Sequence, residues 1–171
     1  GDVSVTSSGA ISTTGNSGTG IRAYGGTPGN VAVTSTGAIS TQGNYARGIR
    51  VLGGNGTITS AGDISTLGKE ASGIHGVTIG TLTIDSDGSI STAGAESSGI
   101  YASTDAGATI GSTGDIATAG DSAFGIFGYA KTGAIEITSA GDIATKGTSS
   151  GVISATALAG GITIESNGGL V

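Results

Sequence analysis

The sequence predicts an all-β fold: a three-sided right-handed parallel β-helix, or β-solenoid, of about six and a half coils of ~26 residues each. Three observations lead there. A Gly-x-Ile unit recurs along the whole chain, apolar and small polar residues alternate around it with period two, and glycine falls into columns when the copies are aligned. The unit reads Gly9-Ala10-Ile11, Gly37-Ala38-Ile39, Gly62-Asp63-Ile64, Gly88-Ser89-Ile90, Gly114-Asp115-Ile116 and Gly141-Asp142-Ile143, with Gly168-Gly169-Leu170 as a variant. Successive spacings are 28, 25, 26, 26, 27 and 27 residues. A self-similar period of that length signals stacked supersecondary units, each unable to bury its apolar face alone.

The first strand of each copy is placed by a β-branched residue six positions before the central Ile or Leu: Val5, Val33, Ile58, Ile84, Ile110, Ile137 and Ile164. That interval never varies. Runs such as Val3-Ser4-Val5, Leu82-Thr83-Ile84 and Ile135-Glu136-Ile137 show the alternation of a half-buried strand. The central Ile marks the second strand. A third anchor follows ten residues later at Ile21, Ile49, Ile74, Ile100 and Ile126, and is expected one residue early, at Val152, in the last copy. The length variation lies in the return to the next first anchor, as loops allow.

Glycine aligns in columns containing Gly9, Gly15 and Gly20 and their counterparts, the third column being expected to end at Gly151; corners stacked on corners call for positive φ or a missing side chain. A Thr column (Thr13, Thr41, Thr66, Thr92, Thr118, Thr145) and a Ser column (Ser7, Ser35, Ser60, Ser86, Ser112, Ser139, Ser166) have inward parity, where hydroxyls can bond backbone groups. The right hand follows from the strong bias of parallel crossovers. Register is the sharpest expectation: one residue added between Ile84 and Ile90 reverses inside and outside, whereas one added within Gly53–Gly56 only lengthens a return.

Composition narrows the function. Of 171 residues 36 are Gly, 25 Thr and 23 Ser, which would suit a disordered chain, but charged residues are only 11% and mean hydropathy is +0.23, which would not. No apolar run is long enough to span a bilayer and no basic-then-apolar leader opens the chain. Cys and Met are absent, so there is no disulfide framework or thiolate chemistry, and the chain is expected to be a segment, 1–171, of a longer repeat array. A net charge of -6 with six scattered Lys/Arg argues against a nucleic-acid partner.

The pattern Ile-x-Ile-Thr-Ser-x-Gly-Asp-Ile-x-Thr-x-Gly-x-x-Ser-x-Gly-Ile, nearly whole in 135–152 and 58–74, resembles the passenger-domain repeats of Gram-negative autotransporter adhesins over essentially the whole chain. The resemblance implies a β-helix exported across the outer membrane and displayed at, or released from, the cell surface. It implies no particular ligand.

Candidate contact residues lie on the outward side of the third strand. Its two outward columns are expected to read Arg22, Arg50, His75, Tyr101, Phe127, Ile153 and Tyr24, Leu52, Val77, Ser103, Tyr129, Ala155, with Phe124 just before the same strand. The binding set is therefore Arg22, Tyr24, Arg50, Leu52, Val77, Tyr101, Phe124, Phe127 and Tyr129: a stripe basic at one end and aromatic at the other. The competing expectation is that these neighbours merely stabilise a parallel sheet. Asp115 and Asp142, one coil apart, with Asp63, could set carboxylates for sugar cleavage, but a solvated repeat residue is the simpler account. Asp85 and Asp87 provide too few oxygens for calcium, and a lone His75 supports no triad.

The expectation is thus a non-enzymatic, cofactor-free scaffold or adhesin outside a Gram-negative cell. Its partners would be host or neighbouring-cell surface molecules, protein or glycan, or copies of itself through open solenoid ends. A filament subunit stacking end to end is the alternative, and a polysaccharide-acting enzyme the third.

Overall fold

A computed structural model describes residues 1–171. Nineteen strands form three parallel sheets, and neighbours within a sheet are three strands apart in the chain, so each full coil contributes one strand to each side of a tube. There is no helix, hence none long and apolar enough to cross a membrane.

The first sheet stacks Val3–Ser7, Asn30–Ser35, Asn55–Ser60, Leu82–Ser86, Ala108–Ser112, Ile135–Ser139 and Ile162–Ser166. The second stacks the three-residue strands Ile11–Thr13, Ile39–Thr41, Ile64–Thr66, Ile90–Thr92, Ile116–Thr118 and Ile143–Thr145, and Leu170 bridges onto Ile143. The third stacks Ile21–Tyr24, Ile49–Gly53, Ile74–Thr78, Ile100–Thr104, Phe124–Ala130 and Gly151–Ala157. Ile90 pairs with Ile64 on one side and Ile116 on the other, so the aliphatic rows run along the tube axis. At ~4.8 Å per coil the tube is roughly 30 Å long.

The predicted anchors of the central coils form the core. Val33, Ile58, Ile84, Ile110 and Ile137 from the first sheet, Ile39 to Ile143 from the second and Ile49 to Ile126 from the third are all buried in one apolar cluster. Period-two alternation is what allows this: each strand turns every second side chain into the lumen and the rest to solvent.

The inward hydroxyl columns hold as predicted over the central coils. Thr41, Thr66 and Thr92 are buried, and each donates to the carbonyl five residues on, at Ala46, Ala71 and Ser97, closing the corner from inside. Ser112 and Ser139 donate to Gly114 and Gly141 at 3.1 and 3.2 Å. Ser35, Ser60 and Ser86 make a buried row of unpartnered hydroxyls.

The glycine columns differ from expectation in their cause. No glycine has positive φ. The left-handed residue of each coil is instead Ser17, Tyr45, Glu70, Glu96, Ser122 or Ser149, two positions after the column glycine, at φ between 53° and 60°. The glycines are needed for close approach. A Cβ on Gly94 would lie 2.7 Å from the Lys69 nitrogen and nearer still to the Gly68 carbonyl of the preceding coil.

The last coil corrects the register. Ile126 pairs with Ile153, so the third anchor is Ile153, ten residues after Ile143 as in every other coil, and Val152 takes the place of the column glycine. The reason lies in the next coil. Gly48, Gly73, Gly99 and Gly125 make room for the γ2 methyl of Ile64, Ile90, Ile116 and Ile143 and for the carbonyl of the column residue one coil on. No third-sheet strand, by contrast, stacks on Gly151–Ala157, and the second-strand counterpart beyond Val152 is Leu170, which has no β-branch. The outward columns in the last coil are therefore Ser154 and Thr156, paired with Phe127 and Tyr129, not Ile153 and Ala155.

The Gly53–Gly56 return is also no free loop. Gly53 ends one strand and Asn55 begins the next, Gly54 N–H donates to the Gly29 carbonyl at 2.8 Å, and a Cβ on Gly54 would meet Pro28 O at 2.5 Å. In the longer return, by contrast, a Cβ on Gly26 would meet nothing nearer than the Gly1 nitrogen at 3.9 Å, and Thr27 is exposed.

Candidate functional site

The outward side of the third sheet carries the candidate contact residues, because strand alternation places them opposite the buried anchors. Register pairs Arg22 with Arg50, Arg50 with His75, His75 with Tyr101 and Tyr101 with Phe127, one row across five coils. A second row runs Tyr24, Leu52, Val77, Ser103, Tyr129. All nine predicted contact residues fall on or beside this one face.

The rings in the first row lie nearly parallel. His75 and Tyr101 have centroids 4.6 Å apart and planes 7° apart; Tyr101 and Phe127 are 5.0 Å and 10°; Phe124 tilts by 45° against Phe127 at 5.6 Å. Stacked this way, the rings spend their faces on one another and offer edges outward. Tyr24, by contrast, is 69% exposed and has no aromatic partner. Tyr24, Leu52 and Val77 line an open cleft of about 270 Å3 whose far rim includes Asp105.

The basic end contains a residue that the strand pattern missed. Arg47 lies on the approach to Ile49–Gly53, in the corner column shared with Phe124, and adds a third guanidinium beside Arg22 and Arg50. None of the three pairs with a carboxylate, since the only ion pairs join Lys69 to Glu96 at 3.1 Å and to Glu70 at 3.9 Å. The Nε atoms of Arg47 and Arg50 are buried without a hydrogen-bond partner. Burial first, and then the positive charge of Arg50, lowers Arg47 below the ordinary guanidinium range; burial and Arg22 do the same to Arg50.

His75 shares this environment. Burial, then the charges of Arg47 and Arg50, pushes it down to about 3. It is therefore neutral in the folded protein across the physiological range. The unfolded chain takes up the proton near pH 6.5 and the folded one only near 3, so stability is complete above 6.5 and declines as pH falls. Between pH 7.5 and pH 5 the expected loss is about 2 kcal/mol. Asp121, lowered by hydrogen bonds from the Thr148 hydroxyl and amide, titrates below that window. In His75→Phe, urea midpoints at the two pH values should nearly coincide; an undiminished difference would mean that another group is responsible.

The acidic candidates have a structural task. Asp63 accepts the Ser89 amide at 2.9 Å, Asp115 the Asp142 amide at 2.9 Å and Asp142 the Gly169 amide at 2.6 Å, each one coil further on. Asn16, Asn44, Asn55 and Asp121 act alike at the other corners, on the amides of Asn44, Lys69, Thr81 and Thr148. These side chains satisfy corner amides that the strand ladders leave over. Asp87 accepts the Thr113 hydroxyl at 2.9 Å, and nowhere do three His, Cys, Asp or Glu side chains gather as a metal site.

Fold and surface together define a parallel β-solenoid repeat protein with one chemically distinctive face. Comparison with protein-family models, with curated proteins and with solved structures found no match.

Proposed function

We propose that this solenoid is a non-enzymatic scaffold segment displayed outside a Gram-negative cell, as in autotransporter passengers, and that its third-sheet face makes adhesive contacts. The observation that carries this is the asymmetry of the tube. Three unpaired arginines, all six aromatics but Tyr45, and an apolar cleft gather on or beside one of three sides, while the outward positions of the first sheet are mostly Thr, Ser and acidic residues. Packing alone would not require such segregation, because the lumen already supplies the stabilising burial.

The test is the triple variant Tyr101→Ser/Phe127→Ser/Tyr129→Ser in a cell-adhesion or self-association assay. Binding should fall more than thermal stability does. Because the ring faces are stacked, a moderate stability cost is expected as well. Unchanged adhesion by a folded triple variant removes the contact function.

A second function, end-to-end assembly, has one observation in its favour. Ile162, Ile164 and Leu170 are lumen-side residues by register, yet stand about half exposed at the open rim of the last coil. They are the surface on which a further coil, of this chain or another copy, would stack. Concentration-dependent rods in electron micrographs of the isolated chain would favour it.

A further inference from the structure

We propose that Arg22, Arg47 and Arg50, together with the cleft beside Tyr24, form a binding site for an acidic glycan, with a sugar ring held against Tyr24 and Leu52 and its carboxylate or sulfate on the guanidiniums. The assignment rests on the contact function above and gives its ligand a chemical class. It begins from an imbalance. The chain has twelve Asp/Glu and only six Lys/Arg, yet three of those six stand together with no acidic partner, although the chain has acidic side chains to spare.

Arg22 and Arg50 are direct partners in adjacent parallel strands. Like charges so placed destabilise a sheet, and desolvating the Arg47 and Arg50 Nε donors without acceptors costs more. An oxyanion on the guanidinium Nη atoms offsets the like-charge cost, and the planar fork fits a carboxylate or sulfate by paired hydrogen bonds. Glu70 acts on Arg47 only at a distance and forms no ion pair with it.

The rest of the ligand is read from the neighbouring row. Tyr24 lies two residues from Arg22 and Leu52 two from Arg50, on the same strand faces, an advance of roughly 6.6 Å. A ligand must then carry an anionic group at one edge and an apolar face within a ring's width of it. The exposed Tyr24 ring and Leu52 suit the C–H face of a sugar, and Asp105 on the far rim can accept its hydroxyls. A bare anion would leave the cleft unused.

The experiment is calorimetric titration of the 171-residue chain with hexagalacturonate, a heparin-derived hexasaccharide, neutral maltohexaose and a hexaglutamate peptide. The acidic sugars should bind, the stronger of the two identifying the anion, and maltohexaose should not. Arg47→Gln/Arg50→Gln should weaken binding tenfold or more. Its thermal midpoint should stay equal or rise, because the like-charge pair is gone, and a fall would mark the arginines as structural and overturn the site. Tyr24→Ser should weaken the sugars and leave any hexaglutamate binding unchanged. Equal binding of maltohexaose, tighter binding of hexaglutamate, or acidic sugars held alike by wild type and the arginine variant would each overturn it. The Tyr101/Phe127/Tyr129 triple variant leaves the three arginines and Tyr24 in place. Loss of adhesion there without any sugar binding by wild type would keep the contact function and reject the glycan.

Discussion

Replacing Gly94 by Ala is expected to cost about 3 kcal/mol or more, although it adds a single methyl to a helix-free, glycine-rich chain. The new Cβ points along the axis into the backbone of the preceding coil, where the Gly68 carbonyl and the Lys69 nitrogen already occupy the space. Neither can move aside, because both belong to a corner held between ladders above and below. Relief requires the coils to separate. In a stack whose stability is a sum over neighbouring units, that weakens one junction and leaves the others intact. A urea titration should therefore show a lower midpoint, or the splitting of one transition into two. Gly15→Ala, in the same column, is the control. In this chain nothing lies within 4 Å of its added Cβ, and its midpoint should stay close to wild type.

A one-residue insertion between Asp87 and Gly88 is expected to be as damaging by a different route. The six-residue interval from first anchor to central Ile or Leu is the same in all seven copies, and here it links Ile84 and Ile90, both buried. An extra residue moves one of the two out of its row and sends its neighbours to the wrong face. Loss of one buried Ile contact set is worth about 2–5 kcal/mol. The same insertion between Gly26 and Thr27, in the longest return, should lower the midpoint by less than about 1 kcal/mol, because it disturbs one exposed turn. Equal losses from the two insertions would mean that the fixed interval does not set the register.

What the sequence made legible was whatever repeats in both residue type and spacing. Ile64, Ile90 and Ile116, or Thr41, Thr66 and Thr92, declare an inward column because the lumen accepts little else there. The left-handed corner position was invisible. Ser17, Tyr45, Glu70 and Glu96 share a backbone conformation imposed by the corner, not a side-chain chemistry. The last coil hides its register for a related reason: Gly151 offers a glycine one residue early, and Val152 can stand in the glycine column where neither a stacked column carbonyl nor a β-branched neighbour bars a side chain. Arg47 escaped because it sits in a corner, outside the period-two alternation that located Arg22 and Arg50. The corner Asp and Asn residues did carry a signal. Asn16 with Asn44 and Asp115 with Asp142 recur one coil apart, the spacing at which one side chain reaches the next coil's backbone amide. Asn30 with Asn55 recur likewise, the Asn55 side-chain amide donating to the Asn30 side-chain oxygen.

The stacked tube itself is tested most directly by methyl NOE spectroscopy on the isoleucine-labelled chain. Cross-peaks from the Ile90 methyls to both Ile64 and Ile116, with the same step-by-step pattern along Ile58, Ile84 and Ile110, are the expected result. A folded protein in which Ile90 shows contacts to neither Ile64 nor Ile116 would contradict the architecture and everything placed upon its faces.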